Sequence, residues 1–202
     1  MIKKILSPLA LGAALVLAGG NQAFAESQYG YATSTGTITA TAKVNLTVNV
    51  PKLILLRVGG ASTAIDSLIW NAGFTIPSTS AVPALGSDKA VDWNGAIPTA
   101  SVTAPASSTL NVYAWTNANT GSINCTAPIW SPASGGPANA DFTVTVTGSL
   151  PHPGANLGAC ASTSFSSNTV ATGTWQYILG GTPTSWKAGT YSTTVTYTAT
   201  GV

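Results

Sequence analysis

Charged residues are scarce in this sequence of 202 residues, which contains only seven lysines and arginines and five aspartates and glutamates. Proteins that bind nucleic acid rely on many contacts between basic side chains and phosphates. Seven basic residues spread along the chain cannot supply a basic stripe. We therefore expect no nucleic-acid partner.

Histidine is scarcer still, because His152 is the only one and lies between two prolines. A Ser-His-Asp or Cys-His site would have to use this residue, and no G-x-S-x-G turn supplies a nucleophile. We predict that His152 is an exposed loop residue, that the protein is not an enzyme and that it binds no cofactor.

Acidic residues offer one further candidate site, at Asp88 and Asp92. Two carboxylates four residues apart are compatible with a calcium site or a glycosidase pair. The spacing matches no EF-hand loop, and Lys89 lies between the two carboxylates. We therefore predict an ordinary solvated loop with no metal.

Long apolar runs are limited to the beginning of the chain. Lys3 and Lys4 precede an apolar stretch over residues 5–17, and Ala23 and Ala25 place small residues where a signal peptidase reads them. The stretch is shorter than the roughly 20 residues of a transmembrane helix. We predict that residues 1–25 are a cleaved signal peptide, which leaves a mature chain with no formal net charge.

Cysteine is limited to Cys125 and Cys160. An even pair in an exported chain indicates a disulfide, whereas a zinc site needs more ligands than these residues and one histidine offer. Such a bond would contribute about 4 kcal/mol by the chain-entropy estimate. We predict a structural disulfide between the two.

Helical patterns are missing after residue 25, whereas short alternating or apolar segments recur between turn-rich loops. The predicted strands cover residues 53–58, 65–70, 109–115, 142–147, 175–179 and 191–199, with a short strand near Trp93. Seven or eight strands with almost no helix are typical of an immunoglobulin-like β-sandwich. We therefore predict an all-β fold.

The segment over residues 37–50 alternates polar and apolar residues with a period of two. Its apolar positions are Ile38, Ala40, Ala42, Val44, Leu46, Val48 and Val50. A strand of this length spans about 46 Å, whereas strands of globular proteins typically have about five or six residues. Either the segment bends into two strands of one domain, or its first half belongs to something outside that domain.

The two ends of the mature chain together resemble a known family. An exported sandwich with an alternating N-terminal extension and a last strand entered through residues 187–191 is similar to fimbrial (pilin) subunits assembled by donor-strand exchange. Gly189, fourteenth from the C-terminus, stands where such pilins often carry glycine. Gly201 departs from the pattern, since many members have tyrosine there, and the cysteines lie mid-chain.

The resemblance implies an incomplete sandwich that lacks its last strand and is completed by the extension of a neighbouring subunit. It implies an extension or donor strand over residues 26–43 and a pilin-like domain over residues 44–202, whose first strand contains the apolar positions after Val44. The implied donor residues are Ile38, Ala40, Ala42 and Val44. The implied groove strand contains Gly189, Tyr191, Val195, Tyr197 and Ala199.

On this basis we predict a structural subunit of an extracellular fibre, either a fimbria or pilus or a biofilm matrix filament, that supports adhesion. Its expected partners are copies of itself, a periplasmic chaperone, an outer-membrane assembly machinery and a glycan receptor on a host or surface. The expected location is the cell surface, reached through the periplasm.

A monomeric secreted β-sandwich binding module, either carbohydrate-binding or an adhesin, is the alternative, and the six tryptophans of the chain favour carbohydrate. Trp115 and Trp175 lie in strand patterns and are predicted to be core residues. Trp93 and Trp130 lie in loops rich in proline and glycine, where they are candidates for surface contacts, although structural packing is the favoured interpretation.

Overall fold

The computed structural model describes residues 27–61, 63–77 and 83–202. The predicted signal peptide, residues 1–25, lies outside the described residues. The chain divides into two compact units, Met1–Val50 and Pro51–Val202.

The described part of the first unit, residues 27–50, contains no helix or strand, and all of its residues are exposed. The alternation over residues 44–50 predicted the first strand of the following domain, and the structure has none there. A strand needs a neighbour for its backbone hydrogen bonds, and its apolar face needs a surface to cover. In the single chain the alternating segment has neither.

Within residues 51–61, 63–77 and 83–202, the second unit contains nine strands. They are β1 (Ile54–Val58), β2 (Asn71–Thr75), β3 (Thr99–Thr103), β4 (Thr109–Thr116), β5 (Gly121–Thr126), β6 (Phe142–Gly148), β7 (Ser162–Phe165), β8 (Ala171–Leu179) and β9 (Thr196–Gly201). Three short 3-10 turns, Asn139–Asp141, Leu157–Ala159 and Pro183–Ser185, complete the regular structure. Among the described residues, no helix is long and apolar enough to cross a bilayer.

The strands form three antiparallel sheets. One has the order β1-β4-β8-β6, the second has the order β7-β5-β9, and β2 pairs with β3 in a third. The fold is therefore all-β, as predicted. The four-stranded and three-stranded sheets enclose one core, which is compatible with a β-sandwich.

Several strand predictions were inaccurate. Residues 65–70 form no strand, since β2 starts at Asn71, and the strand expected near Trp93 lies instead at Thr99–Thr103. The strands β5 and β7 were missed because they are composed largely of glycine, serine, asparagine and threonine. Segments this polar do not show the apolar alternation on which a strand prediction depends.

The core is centred on Trp175 of β8, whose side chain is fully buried. The indole Nε1–H donates a hydrogen bond of 3.0 Å to the carbonyl oxygen of Leu150, so the polar atom of this large side chain is satisfied. Val112 of β4, Ile123 of β5 and Phe165 of β7 pack in the same cluster. The core thus joins the two larger sheets.

The predicted disulfide between Cys125 and Cys160 is confirmed, with a Cα–Cα distance of 5.2 Å. It ties the central strand β5 to the segment that leads into β7. The long connection between β5 and β7 is therefore fixed at both of its ends.

We predict that Leu150→Ala lowers the free energy of unfolding of the mature protein by about 2–5 kcal/mol, because it removes a fully buried side chain and leaves a cavity. Urea unfolding monitored by tryptophan fluorescence would measure the change. Leu85→Ala is the matched control, since Leu85 is fully exposed. Its expected effect is within about 0.5 kcal/mol, and equal losses in both variants would contradict the assignment of the core.

Candidate functional site

Two edge strands, β1 and β9, lie next to each other at one side of the core. Among the described residues β1 pairs only with β4, and β9 pairs only with β5. The strands approach closely at one end, where a Cβ placed on Gly201 would lie 3.8 Å from Cδ1 of Ile54. We call these two strands, with their unpaired sides, the open edge.

The hydrogen-bond register shows which backbone groups face away from the paired strand. Gly59 N–H donates to the Asn111 carbonyl and Asn117 N–H donates to the Leu53 carbonyl, which makes odd-numbered residues the bonded partners of β4. Backbone groups of the even-numbered residues of β1 therefore point away from β4. They belong to Ile54, Leu56 and Val58.

The same alternation holds in β9. Val202 N–H donates 3.0 Å to the Thr120 carbonyl, so even-numbered residues of β9 face β5. The N–H and C=O groups of Tyr197 and Ala199 point to the other side. An edge that presents such groups is a template for another strand.

Side chains at the open edge are only partly covered. In β4, Val112, Ala114 and Thr116 are almost completely buried, whereas their register partners Val58, Leu56 and Ile54 in β1 are half-buried. The same contrast holds between the buried inner residues of β5 and the half-buried inner residues of β9.

The opposite side of the core is better closed. Phe142 and Val144 of the edge strand β6 are buried, and Phe165 of β7 is buried as well. Trp70 and Trp130 both pack on Phe142, with ring centroids at 5.1 Å in each pair. Incomplete cover is thus concentrated at β1 and β9.

Asn117 fixes the point where the chain enters the second unit. Its side-chain amide donates 2.7 Å to the Pro51 carbonyl and its Oδ1 accepts the N–H of Leu53 at 2.7 Å. Asn119 N–H donates 2.8 Å to the carbonyl of Val202. The start of this unit and the end of the chain are therefore held by the same short connection between β4 and β5.

The predicted groove residues fall into two groups. Val195 and Tyr197 pack against the core from its edge, and Ala199 lies on the same inner side of β9. The predicted strand over residues 191–199 starts only at Thr196, so Val195 directly precedes β9, and Gly189 and Tyr191 lie farther outside it.

Tyr191 is held by a loop rather than by a strand ladder. Its hydroxyl lies 2.9 Å from the carbonyl oxygens of Gly135 and Lys187, and its ring covers Gly136. A Cβ at Gly136 would clash with that ring, so a larger residue there would displace Tyr191. Ser192 pairs with Ser131 through a single bridge.

The departure at Gly201 has a steric reason in this structure. A Cβ there would lie 2.8 Å from Thr116 Oγ1 and 3.0 Å from the Cβ of Ala118. Thr116 is the last residue of β4, and Ala118 lies in the connection from β4 to β5 that closes the core at this end. A tyrosine at this position would require that connection to move.

The four predicted donor residues, Ile38, Ala40, Ala42 and Val44, lie in the first unit and are all exposed. They keep the alternation of the sequence but form no ladder. Their insertion into a groove stays a prediction.

His152 is buried, with 8 % of its surface exposed, so its prediction as an exposed loop residue was wrong. Its ring packs edge-on against Trp175 with centroids 4.8 Å apart. Its Nε2 lies 2.8 Å from the hydroxyl of Tyr197, which in turn lies 2.7 Å from the hydroxyl of Tyr177. No sequence motif signalled this cluster, because its members come from positions far apart in the chain.

The contacts of His152 assign its proton. Nδ1 contacts the carbonyl oxygen of Gly154 and lies farther, at 3.2 Å, from the N–H of the same residue. Because the carbonyl can only accept and makes the shorter contact, we assign the hydrogen of the neutral ring to Nδ1. Nε2 then accepts from Tyr197, and Tyr197 accepts from Tyr177. The hydrogen bonds run in one direction, from β8 through β9 to His152.

Burial shifts the pKa of each member of this cluster towards its neutral form. Desolvation lowers the pKa of His152, and it raises the pKa of Tyr177 to about 12. The pKa of Tyr197 is raised as well, mainly by burial and further by Tyr177. The neutral cluster anchors Tyr197, and with it the open-edge strand β9, to the core.

Of the four tryptophans whose positions were predicted, only Trp115 lies in a different environment from the expected one. Trp175 is a core residue as predicted. The prediction that Trp115 is a core residue was wrong, because Trp115 lies on the outer face of β4 between buried Ala114 and Thr116. Trp130 stacks on Phe142. Trp93 is 57 % exposed, and its indole N–H donates 2.8 Å to the Ala96 carbonyl.

Asp88 and Asp92 lie in an exposed loop. Across residues 27–61, 63–77 and 83–202, no cluster of three or more histidine, cysteine, aspartate or glutamate side chains is arranged to hold a metal ion.

No protein-family model, curated protein or solved structure matches this chain.

We predict a measured pKa below 6.5 for His152, since burial disfavours its charged form. As this is the only histidine of the sequence, a proton NMR titration of the mature protein reports it directly. A folded-state pKa below the ordinary value means that the unfolded chain binds the proton more tightly. Its contribution to stability is therefore complete above pH 6.5 and declines as the pH falls below that value.

His152→Gln provides the control for stability, because it cannot titrate. Urea unfolding at a series of pH values should show a larger loss between pH 7 and pH 5 in the parent protein than in the variant. An imidazole pKa at or above 6.5 would contradict the proposed burial of a neutral ring.

Proposed function

We propose that this chain is a structural subunit of an extracellular fibre and polymerises by donor-strand exchange. The alternating segment of one copy occupies the open edge of the next, and the finished polymer supports adhesion. The sandwich of each subunit is immunoglobulin-like and lacks one strand.

One observation carries this proposal. The same chain contains an exposed segment that alternates with a strand period and a core that is incompletely covered along two unpaired strand edges. An inserted strand would donate hydrogen bonds to those edges, accept hydrogen bonds from them and cover their apolar side chains. The alternating segment lacks a partner strand, and the open edge lacks a strand that would cover it.

The chemistry of the segment fits such a role. Its apolar residues lie two apart, as do the inner residues Tyr197, Ala199 and Gly201 of β9 in the open edge. The alanines of the segment suit shallow positions, and Ile38 and Val44 at its ends supply the larger apolar surface. The apolar positions of the segment would thus follow the same two-residue spacing as the inner positions of β9.

Other properties of the chain support a structural role rather than catalysis. The single histidine is engaged by Tyr197 and Gly154 in the core. A disulfide is compatible with an exported protein. The near absence of net charge does little to oppose self-association, which suits a subunit that assembles.

The proposal implies partners that protect the open edge before assembly. An unpaired edge with exposed apolar side chains promotes aggregation. A periplasmic chaperone that lends a strand, followed by an outer-membrane assembly machinery, would meet this need. The subunit would then reach the cell surface through the periplasm, where a glycan receptor is the proposed target.

We predict that deleting residues 26–42 from the mature chain leaves a folded domain that forms no fibres. The core residues all lie after Pro51, so the deletion removes no core contact. Circular dichroism would test the fold, and negative-stain electron microscopy would test assembly. Filaments from the truncated protein would show that the donor assignment is incorrect.

A point substitution gives a sharper test. Ile38→Asp should block assembly, because it would bury an unpaired carboxylate in the groove of the neighbour. Thr39→Asp adds the same charge one residue later, on the opposite side of the alternating segment, and should still assemble. Fibre formation would be measured by sedimentation and by electron microscopy. Equal loss of fibres in both variants would contradict the proposal that Ile38, and not Thr39, faces the groove.

A monomeric carbohydrate-binding module remains the second candidate, because the exposed ring of Trp93 is held in place by its bond to Ala96. This function would give a mature protein that stays monomeric at high concentration and binds a glycan array through Trp93. Trp93→Ala would then abolish binding without changing the oligomeric state.

A further inference from the structure

The outer face of the four-stranded sheet carries an exposed apolar patch at one end. Leu55 of β1 lies directly opposite Trp115 of β4. The register of β4 and β8 ends with the pair Ala114–Ala171, and its continuation by one residue places Val170 opposite Trp115. Trp115 thus lies between Leu55 and Val170. We call Leu53, Leu55, Trp115 and Val170 the entry patch.

Each member of the entry patch is accessible. Leu55 is 55 % exposed, Val170 is 56 % exposed, Leu53 is exposed to a similar extent and Trp115 is half-buried. Next to the patch on this face, the guanidinium of Arg57 lies 5.1 Å from the ring centroid of Tyr113. Farther along, Asn111 pairs with Thr174 and Thr109 pairs with Gln176, so these register rows are polar. Apolar residues concentrated in this way commonly mark an interaction surface.

The entry patch lies where the chain enters the domain. Leu53 is bonded to Asn117, and Trp115 is two residues before that same asparagine. The extension therefore leaves the domain directly beside the patch. A neighbouring domain that binds the extension must therefore stay close to the entry patch.

The length of the connection between the two domains limits the distance between the neighbouring domain and the entry patch. If Ile38–Val44 sit in a neighbouring groove, seven residues join Val44 to Pro51, and a fully extended chain of that length spans about 25 Å. A domain of this size has a radius of gyration of about 15 Å. The neighbouring domain is thus held within about one domain diameter of Pro51.

We propose that the entry patch is a second contact between successive subunits, covered by the body of the copy that receives the extension. This proposal rests on the proposed donor-strand function and adds a contact outside the groove. The patch contains no charged residue, and the chain has almost no net charge to keep two copies apart. A contact of this kind would fix the angle between neighbouring subunits, which a flexible connection alone would leave free.

Hydroxyl-radical footprinting with mass spectrometry tests the proposal on the full mature chain. Oxidation of Trp115 would be compared in fibres, in the monomeric Ile38→Asp variant, and in that variant with a synthetic peptide of residues 37–50. We expect the oxidation of Trp115 to be at least threefold lower in fibres than in the monomeric variant, and unchanged when the peptide is added to that variant. The reference is Ile178, an exposed residue on the same face at the far end of β8.

The outcomes separate the possible occupants. Equal oxidation of Trp115 in fibres and monomer overturns the entry patch as an interface but leaves donor-strand exchange intact. Protection already present in the monomer overturns it too, because the extension of the same chain would then cover the patch. A mature chain that forms no fibres at all removes the proposed function and this contact together.

A matched pair of variants gives an independent test. Leu55→Ser combined with Val170→Ser leaves the donor segment and the inner face unchanged, so fibres should form but bend more easily. We expect at least a twofold shorter persistence length in micrographs, and no change for Ile178→Ser. Fibres of equal persistence length in all three proteins would contradict the proposal.

Discussion

Backbone hydrogen bonding is the constraint on which this structure depends. Every strand has two sides, and each side presents N–H and C=O groups that need partners when water is excluded. The inner strands β4, β5 and β8 satisfy both sides within the chain, and their inner side chains are the most deeply buried. The strands β1 and β9 satisfy one side each. The partly covered side chains of Leu56 and Tyr197 follow directly from this shortage, since the strand that would bond these edges would also cover them.

The parts of the fold that the sequence predicted are those in which apolar residues identify a strand by themselves. The strands β1, β4, β6 and β8 were placed to within a few residues for this reason. The strands β5 and β7 were missed because their polar residues form strands only through pairing with distant partners. The alternating segment shows the opposite limitation. Its pattern is that of a strand, yet a pattern cannot provide the partner, and in the single chain the segment forms no ladder.

The candidate site shows the same division. The alternation correctly indicated which residues of the last strand share a face, and Val195 and Tyr197 do pack towards the core. It did not indicate where that strand begins, because Tyr191 follows the pattern but is bound by a loop. Nor did it show which side chains of β4 face the core, because the aliphatic residues on either side of Tyr113 point inwards and the aromatic residues point outwards. The position of Trp115 and the burial of His152 both depend on which strands become neighbours, and this information is not local in the sequence.

In the proposed fibre, the hydrogen bonds of Asn117 would carry mechanical load. Tension along a polymer linked through its extensions would enter each domain at Pro51 and pass directly into β1. Because β1 lies antiparallel to β4, a pull along its axis would load their five-residue ladder in shear rather than opening it one bond at a time. Asn117 extends that ladder by two side-chain bonds at the loaded end. The disulfide lies elsewhere, between β5 and the segment before β7, so resistance to pulling would come from non-covalent bonds that can re-form once the tension is released.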